Sequence, residues 1–181
     1  GEVQRHLPAM LEGFRLLRRH FPDSKAFVFA SPSLPDAAYQ AALGRKDVEL
    51  LREADYTHRA AIDLALCSSG TATLENALLG IPMVVIYKLS WPTYIIARAI
   101  IRVPHIAMAN ILAGRALVPE LIQQQATPEK IAQAAVTLLE NPRSYRTLRQ
   151  DLLDLRSVLG TPGAAERTAR SILFDIATPK P

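Results

Sequence analysis

The stretch that decides the fold is Cys67-Ser68-Ser69-Gly70-Thr71-Ala72-Thr73-Leu74-Glu75. The apolar run at 62–67 predicts a buried strand before it, and the spacing of apolar residues over 71–79 predicts a helix after it. Gly80 follows that helix in the position of a C-terminal cap. The stretch is therefore predicted to turn the chain from a strand into a helix.

A turn of this kind exposes backbone N–H groups at the positive end of the helix dipole. Gly70 lets a ligand approach the backbone, and with the hydroxyls of Ser68, Ser69 and Thr71 around it the expected ligand is a phosphate. Glu75 shares the helix face of Thr71, so its carboxylate is available to ribose hydroxyls beside the phosphates. The alternative is structural, since threonine caps helices, glycine bends chains, and an early glutamate complements the dipole. The motif alone leaves both interpretations open.

The order of the predicted elements indicates an α/β fold. Before the turn we expect a helix at 3–20, strands at 26–30 and 48–51, and helical segments at 36–43 and 56–61. After it, the run at 83–87 is β-branched without polar alternation, which is typical of a strand covered on both faces. We therefore expect a Rossmann-like, mostly parallel sheet with helices on both faces. In such folds ligands bind beyond the carboxyl ends of the strands, where residues 68–71 would lie.

Asn110 and Arg115 are further candidates for the site. The remaining predicted elements are a strand at 106–108, a turn at 110–115, helices at 128–140, 142–159 and 164–176, and a loose tail at 177–181. Asn110 follows the predicted strand and is a candidate to hydrogen-bond a phosphate, with Arg115 as a candidate to pair with it. The alternative is that Asn110 only caps the next turn. The length suits one domain over residues 1–181 better than two.

Residues 91–103 are an unusual segment. Trp91 and Tyr94 stand at one end, isoleucines run along it, and Arg98 and Arg102 lie four residues apart. As a helix it would be strongly apolar with a basic edge, which suits a membrane surface. The alternative is a core helix whose arginines extend their charged ends into water.

Composition and missing motifs narrow the class of protein. The net charge of +4 is spread along the chain, which argues against a nucleic-acid surface. The single cysteine, Cys67, excludes an internal disulfide framework and suits the cytoplasm, and the four histidines lack metal-ligand spacing. The P-loop and the glycine-rich dinucleotide fingerprint are absent, as is a hydrolase nucleophile elbow. We expect a phosphate held by backbone and hydroxyl groups, without cofactor or metal.

Three elements together carry a family resemblance. They are residues 69–87, the sequence Asn-Ile-Leu-Ala-Gly-Arg at 110–115, and Val-Pro-Glu at 118–120. Together they closely resemble the lipid-A-disaccharide synthase family. The resemblance covers nearly the whole chain and implies the carboxy-terminal, nucleotide-binding half of a B-type glycosyltransferase, in which two Rossmann-like halves surround a cleft. The first element alone occurs in several UDP-sugar enzymes, whereas the second is more specific.

The resemblance implies a hexosyltransferase of lipid A biosynthesis in Gram-negative bacteria. Such an enzyme transfers 2,3-diacylglucosamine from its UDP derivative to 2,3-diacylglucosamine 1-phosphate, with inversion and without a metal, in the cytoplasm at the periphery of the inner membrane. In the family, a Pro-Gly-Ser-Arg loop whose arginine lies near the UDP-sugar comes just before the position of Gly1, and the catalytic carboxylate belongs to the amino-terminal half. The chain alone is therefore expected to be inactive.

By position, the resemblance also implies roles for individual residues. It places Ser69, Gly70 and Thr71 at the UDP diphosphate, Glu75 at the ribose, and Asn110 in the active site as the catalytic candidate, with Ser68 and Arg115 as further candidates for substrate binding. Ala109 departs from the proline that family members carry before the asparagine. Two alternatives stay open: another UDP-N-acetylglucosamine transferase or 2-epimerase, against which residues 110–115 argue, and a non-catalytic UDP-sugar-binding module.

Overall fold

The computed structural model describes residues 1–52, 55–90, 104–161 and 163–177. The segment at 91–103, for which the sequence left a membrane-surface helix and a core helix open, lies outside these residues, as does most of the predicted tail. In chain order the elements are α1 (Glu2–Leu17), β1 (Ala26–Phe29), a 3-10 helix (Asp36–Tyr39), β2 (Val48–Leu51), α2 (Thr57–Ala60), β3 (Ala65–Ser68), α3 (Thr71–Leu78), β4 (Met83–Tyr87), α4 (Met108–Ala113), β5 (Glu120–Ile122), a second 3-10 helix (Gln123–Gln125), α5 (Pro128–Glu140), α6 (Pro142–Val158) and α7 (Ala164–Ala177).

All strand pairs in the described residues are parallel, as the sequence predicts. The strands form two sheets, β1-β2 and β3-β4-β5. In the larger sheet Ser68 pairs with Ile86 and Tyr87 with Ile122, so the carboxyl ends of β3, β4 and β5 lie along one edge. The β3-α3 turn leaves the sheet at this edge, where ligands of parallel α/β sheets bind.

The central strand β4 explains why helices cover both faces. It is buried along all but its last residue, and successive side chains alternate between the two faces. Val85 belongs to the same apolar cluster as Leu152 of α6, whereas Val84 and Ile86 belong to a cluster with Ile131 of α5. The β-branched run thus anchors a helical layer on each side, which confirms the predicted α/β class.

The ends of the helices follow local chemistry. Gly80 has a positive φ of 67° and donates its N–H to the carbonyl of Ala77 at 2.9 Å, so it closes α3 as predicted. The side chain of Thr127 accepts from the Lys130 N–H at 3.3 Å, and Pro128 occupies the first position of α5. These boundaries were readable from sequence because each depends on only a few adjacent residues.

The prediction was wrong between residues 106 and 122. The predicted strand at 106–108 and turn at 110–115 are replaced by α4, which begins at Met108 after an extended Ala107 and ends at Gly114 with φ 63°. The apolar residues at this point form a short helix, of which Ala109 and Asn110 are buried, rather than a strand. The three-residue strand β5 was missed because it is too short to show a period. Of the helix predicted at 36–43, only one 3-10 turn forms.

Candidate functional site

The β3-α3 turn has the backbone geometry of an anion-binding site. Gly70 adopts φ 152° and ψ −158°, a conformation that is essentially restricted to glycine. A Cβ built at Gly70 would have no atom within 4 Å, so the glycine is needed for its backbone and the space above it is open. Within the described residues, the N–H groups of Gly70, Thr71 and Ala72 donate no hydrogen bond. Three donors at the start of α3 are therefore available to a phosphate.

The hydroxyl groups of the turn divide between two tasks. Ser69 Oγ donates to the carbonyl of Ile106 at 2.7 Å, and Thr73 Oγ1 donates to the carbonyl of Gly70 at 2.7 Å while accepting from the Met108 N–H at 3.2 Å. These bonds attach the turn to the beginning of α4. Thr71, by contrast, is exposed at the first position of α3. Ser69 thus holds the turn in shape, and Thr71 faces the solvent from which a ligand would arrive.

Glu75 lies one turn further along α3 and forms an ion pair. Its Oε2 accepts from the guanidinium of Arg59 in α2 at 2.5 Å. The Arg59 Cζ also lies 5.2 Å from the ring centroid of Phe29 and 5.3 Å from that of Tyr56, within the range of cation–π contact. Sequence reasoning missed Arg59, which comes 16 residues before Glu75 and shares no motif with it.

A cleft of about 1360 Å³ joins these residues to the rest of the fold. The cleft is lined by α1, by β1 including Phe29, and by β3 including Ser68. Arg59, Thr71 and Glu75 also line it. Most of the lining from β1, β3 and α1 is apolar, and Arg59, Ser68, Thr71 and Glu75 supply polar groups to the cleft near the turn. The structure therefore brings together the predicted residues Ser68, Thr71 and Glu75 on one concave surface.

Asn110 is fully buried and bonds to the protein through its entire amide. Its Nδ2 donates to the carbonyl of Val118 at 2.9 Å and to Glu120 Oε1 at 2.8 Å, and its Oδ1 accepts from the N–H groups of Leu117 and Val118 at 2.8 Å each. A side-chain amide has two donors and about two acceptor positions, and all are in use. Asn110 thus holds the loop between α4 and β5. Its catalytic role stays a prediction.

Glu120 completes this arrangement and was missed from sequence. Besides Asn110, its carboxylate accepts from the Ile106 N–H at 3.1 Å and the Ala107 N–H at 2.9 Å. These N–H groups precede α4, so Glu120 satisfies donors that the helix itself cannot. The only sequence signal was the Val-Pro-Glu element at 118–120, which did not indicate which groups Glu120 would contact.

Arg115 lies apart from this network. Its side chain is exposed and forms an ion pair with Asp151 of α6 at 2.6 Å. The structure therefore places Arg115 against α6, and its substrate-binding role stays a prediction.

The edge at the end of β4 is held by two further side chains. His6 of α1 is buried, accepts from the Lys88 N–H at 2.8 Å through Nε2, and stacks on Tyr87 at 6.2 Å between ring centroids. Gln123 has a left-handed φ of 52°, and its amide both accepts from the Leu89 N–H at 2.6 Å and donates to the Leu89 carbonyl at 3.2 Å. Burial lowers the pKa of His6, which therefore favours the neutral form that accepts this bond.

Cys67 does not take part in any site chemistry. It is buried in the core at the end of β3, and burial raises the pKa of its thiol to about 12. A thiol of this pKa carries almost no thiolate near neutral pH, so it is not a nucleophile.

The described ranges hold neither a metal-binding cluster nor a membrane-spanning helix. Residues 1–52, 55–90, 104–161 and 163–177 contain no group of three or more His, Cys, Asp or Glu side chains arranged to bind a metal ion. No helix in the part of the chain that the structure describes has the length and hydropathy needed to cross a membrane.

Comparison with known proteins identifies the family. A family model described as lipid-A-disaccharide synthetase matches residues 1–171. The chain belongs to the lipid-A-disaccharide synthetase family. Relatives named lipid-A-disaccharide synthase include those of Syntrophus aciditrophicus, 42% identical over 172 residues, Anaeromyxobacter dehalogenans, 42% over 176 residues, and Geobacter metallireducens, 39% over 175 residues. These alignments cover 93%, 96% and 96% of this chain, respectively.

The lipid-A-disaccharide synthetase relatives are longer than this chain. The alignments cover 45%, 46% and 46% of the three relatives, so the chain spans about half the length of the curated relatives it matches. The family resemblance carried by residues 69–87, 110–115 and 118–120 is thereby confirmed.

Proposed function

We propose that this chain supplies the UDP-sugar-binding half of a glycosyltransferase of lipid A biosynthesis. Family membership supports the reaction class, and the proposed substrates are UDP-2,3-diacylglucosamine and 2,3-diacylglucosamine 1-phosphate. The observation that carries the proposal is the β3-α3 turn, where three N–H groups without acceptors in the described residues stand beside a glutamate at the ligand-binding edge of a parallel sheet.

In the proposed complex the diphosphate lies over Gly70. The N–H groups of residues 70–72 and the hydroxyl of Thr71 donate to phosphate oxygens, and Glu75 accepts from the ribose hydroxyls. These contacts supply nucleotide recognition without a metal, because the helix dipole and the N–H groups both favour negative charge at this point.

The reaction follows from where charge develops. A hydroxyl of the acceptor attacks the anomeric carbon, the bond from that carbon to the UDP oxygen breaks, and the configuration inverts. Negative charge grows on the β-phosphate as UDP departs, and fixed donors at the start of α3 stabilise that charge more strongly in the transition state than in the substrate. A base in the other half of the enzyme takes the hydroxyl proton. The chain alone is expected to bind UDP without catalysing transfer.

A membrane role is part of the proposal and rests on the sequence of residues 91–103. Because both sugars carry acyl chains, the enzyme must reach a bilayer surface, and basic residues there contribute about 1 kcal/mol each. We expect the native chain to co-sediment with anionic vesicles and the Arg98→Glu plus Arg102→Glu variant to remain in solution. If the double variant sediments equally well, or the native chain never sediments, the segment does not bind membrane.

Titration calorimetry with UDP, UMP and uridine tests the nucleotide site directly. Affinity should fall in that order, because each step removes a phosphate that the turn would bind. Glu75→Ala removes charge-assisted hydrogen bonds and should weaken UDP binding by about 1.5–3 kcal/mol, or roughly 10- to 150-fold. Glu129→Ala is the matched control, since Glu129 is an exposed glutamate near the start of another helix. Equal UDP affinity for native chain and Glu75→Ala would remove the ribose role.

A further inference from the structure

The cleft contains, beside the β3-α3 turn, a cation that the proposed function does not use. Arg59 comes from α2, whereas the turn and Glu75 come from β3 and α3. Its side chain is 20% exposed, less than the 36% of Glu75 that it contacts. Both side chains line the same cleft as Thr71. The Arg59–Glu75 ion pair is therefore partly shielded from solvent and lies beside the predicted phosphate site.

Arg59 is held by groups other than Glu75. The guanidinium carbon lies 5.2 Å from the Phe29 ring centroid and 5.3 Å from the Tyr56 ring centroid. Phe29 ends β1 and Tyr56 immediately precedes α2, so the aromatic contacts belong to two different segments. A planar guanidinium stacks on aromatic rings while still donating hydrogen bonds at its edge. The position of the cation is therefore fixed from outside α3.

The contact between Arg59 and Glu75 uses only one oxygen of the carboxylate. Oε2 accepts from Arg59 at 2.5 Å, and Oε1 accepts no hydrogen bond from the described residues. An ionised carboxylate has about four acceptor positions, so hydroxyl groups of a ligand can bind while the ion pair persists. A free glutamate would have to lose rotamer freedom when it binds, and a tethered one has already lost it.

We propose that Arg59 is a positioning residue, which holds the carboxylate of Glu75 in the orientation that accepts the ribose hydroxyls of a uridine nucleotide. This inference rests on the proposed function, because it assumes that Glu75 binds ribose. Arg59 does not itself contact the ribose. Its effect on nucleotide affinity therefore depends on Glu75 and on the presence of the hydroxyl groups.

The test compares UDP with its 2′-deoxy and 3′-deoxy analogues by titration calorimetry on the whole chain. The measured quantity is the ratio of UDP affinity to the affinity of whichever analogue loses more. Arg59→Met keeps an apolar stem against Phe29 and Tyr56 but cannot bond to Glu75. We expect it to lower UDP affinity about three- to tenfold through the lost ordering of Glu75, and to bring the ratio towards one. Arg59→Lys keeps a cation and should restore part of the ratio.

A double variant separates this role from a general charge effect. In a Glu75→Ala background, Arg59→Met should leave the ratio unchanged, because the carboxylate through which it acts is gone. Loss of a positive charge alone would weaken UDP and the deoxy analogues equally and would not move the ratio. Arg170→Met is the control for removal of a positive charge, since Arg170 pairs with Glu166 at 2.7 Å on the exposed helix α7, away from the cleft.

The outcomes distinguish the two levels of the proposal. Suppose that Glu75→Ala lowers the affinity ratio to one, whereas Arg59→Met and Arg59→Lys keep the ratio of the native chain. Arg59 then has no positioning role, and the proposed function stands. If Glu75→Ala leaves the ratio intact, or if native chain shows no UDP binding at millimolar concentration, the ribose assignment fails and the inference fails with it. Thermal melts of each variant identify any that do not fold. If Arg59→Met does not fold, Arg59→Lys decides: a ratio below that of the native chain supports the positioning role, and an unchanged ratio overturns it.

Discussion

The two sides of the candidate site use their polar groups in opposite ways. On the β3-α3 turn, N–H groups of residues 70–72 have no acceptor in the described residues and one oxygen of Glu75 stays open. On the side formed by residues 106–120, the polar atoms of Asn110 and Glu120 bond to backbone groups of the protein and to each other. The first side is suited to receive a ligand and the second to fix a shape. Variants on the two sides should therefore separate binding from stability.

The carboxyl end of β4 extends the second side. His6 and Gln123 bind the backbone of Lys88 and Leu89, as Asn110 and Glu120 bind that of the α4 region. We call these four side chains, His6, Asn110, Glu120 and Gln123, the bracing groups. Each satisfies backbone donors beyond the ends of regular elements, which would otherwise be costly to leave unpaired when buried.

The largest effect is expected for Asn110→Ala. The change removes four hydrogen bonds at a fully buried position and leaves the N–H groups of Leu117 and Val118 without their acceptor. Unsatisfied buried groups cost about 1–3 kcal/mol each, so the free energy of unfolding should fall by roughly 3 kcal/mol or more. Urea unfolding followed by circular dichroism measures this loss.

The same variant decides between bracing and ligand binding at Asn110. Residual folded protein should keep native UDP affinity if Asn110 acts only as a brace. A variant with nearly unchanged stability but no activity in the full-length enzyme would contradict bracing and support the catalytic prediction.

The next effect is expected for Gly70→Ala on the ligand side. Nothing lies within 4 Å of the new methyl group, so the cost comes from the backbone, whose φ of 152° disfavours any residue with a Cβ. Such strain costs about 1–3 kcal/mol, and relief of it by local rearrangement would turn the N–H groups away from the phosphate. UDP affinity should fall together with stability. Gly44→Ala is the control, because Gly44 also has positive φ and open space, and it should lower stability alone.

How far the site could be read from sequence depends on the range of each interaction. Gly70, Thr71 and Gly80 were predicted correctly in their local structure because a turn and two helix ends are decided by adjacent residues. Asn110 was expected after a strand but lies in a helix. Its hydrogen-bond partners were not predictable because they lie seven to ten positions further along the chain. No local pattern records such a distance.

Arg59 shows the same limit on the ligand side. Its partners Phe29, Tyr56 and Glu75 are distributed over 47 positions, and only the packing of β1, α2 and α3 brings them together. The family resemblance supplied the class of site but not this contact. Chemistry carried by consecutive residues was therefore predictable, and chemistry assembled by tertiary packing was not.

A smaller, pH-dependent effect is expected at His6. Burial lowers its folded-state pKa below the ordinary value of 6.5, so the unfolded chain binds the proton first as the pH falls. Stability from this group is therefore complete above about pH 6.5 and is lost as the pH drops from there towards the folded pKa, by at most about 1.4 kcal/mol per pH unit. Glu2, Arg5 and Lys88 also act on this imidazole.

His6→Gln is the matched variant for this test, because a glutamine oxygen can accept from the Lys88 N–H without titrating. Urea unfolding between pH 7.5 and 5 should show a steeper loss for the native chain than for His6→Gln. Parallel curves for the two proteins would mean that His6 does not couple folding to pH.

The smallest effect is expected for Arg115→Ala. Arg115 is 58% exposed and pairs with Asp151 at 2.6 Å on the outside of α6, and exposed pairs of this kind contribute about 0–1 kcal/mol. The free energy of unfolding should therefore change little, and Asp151→Ala should change it by a similar amount. The two variants should differ in UDP affinity only if Arg115 also binds substrate. Arg115→Ala would then weaken UDP binding by at least several-fold while Asp151→Ala, which frees the guanidinium, would preserve or strengthen it. Identical UDP affinities for native chain and both variants would restrict ligand contacts to the β3-α3 side and leave Arg115 a surface residue.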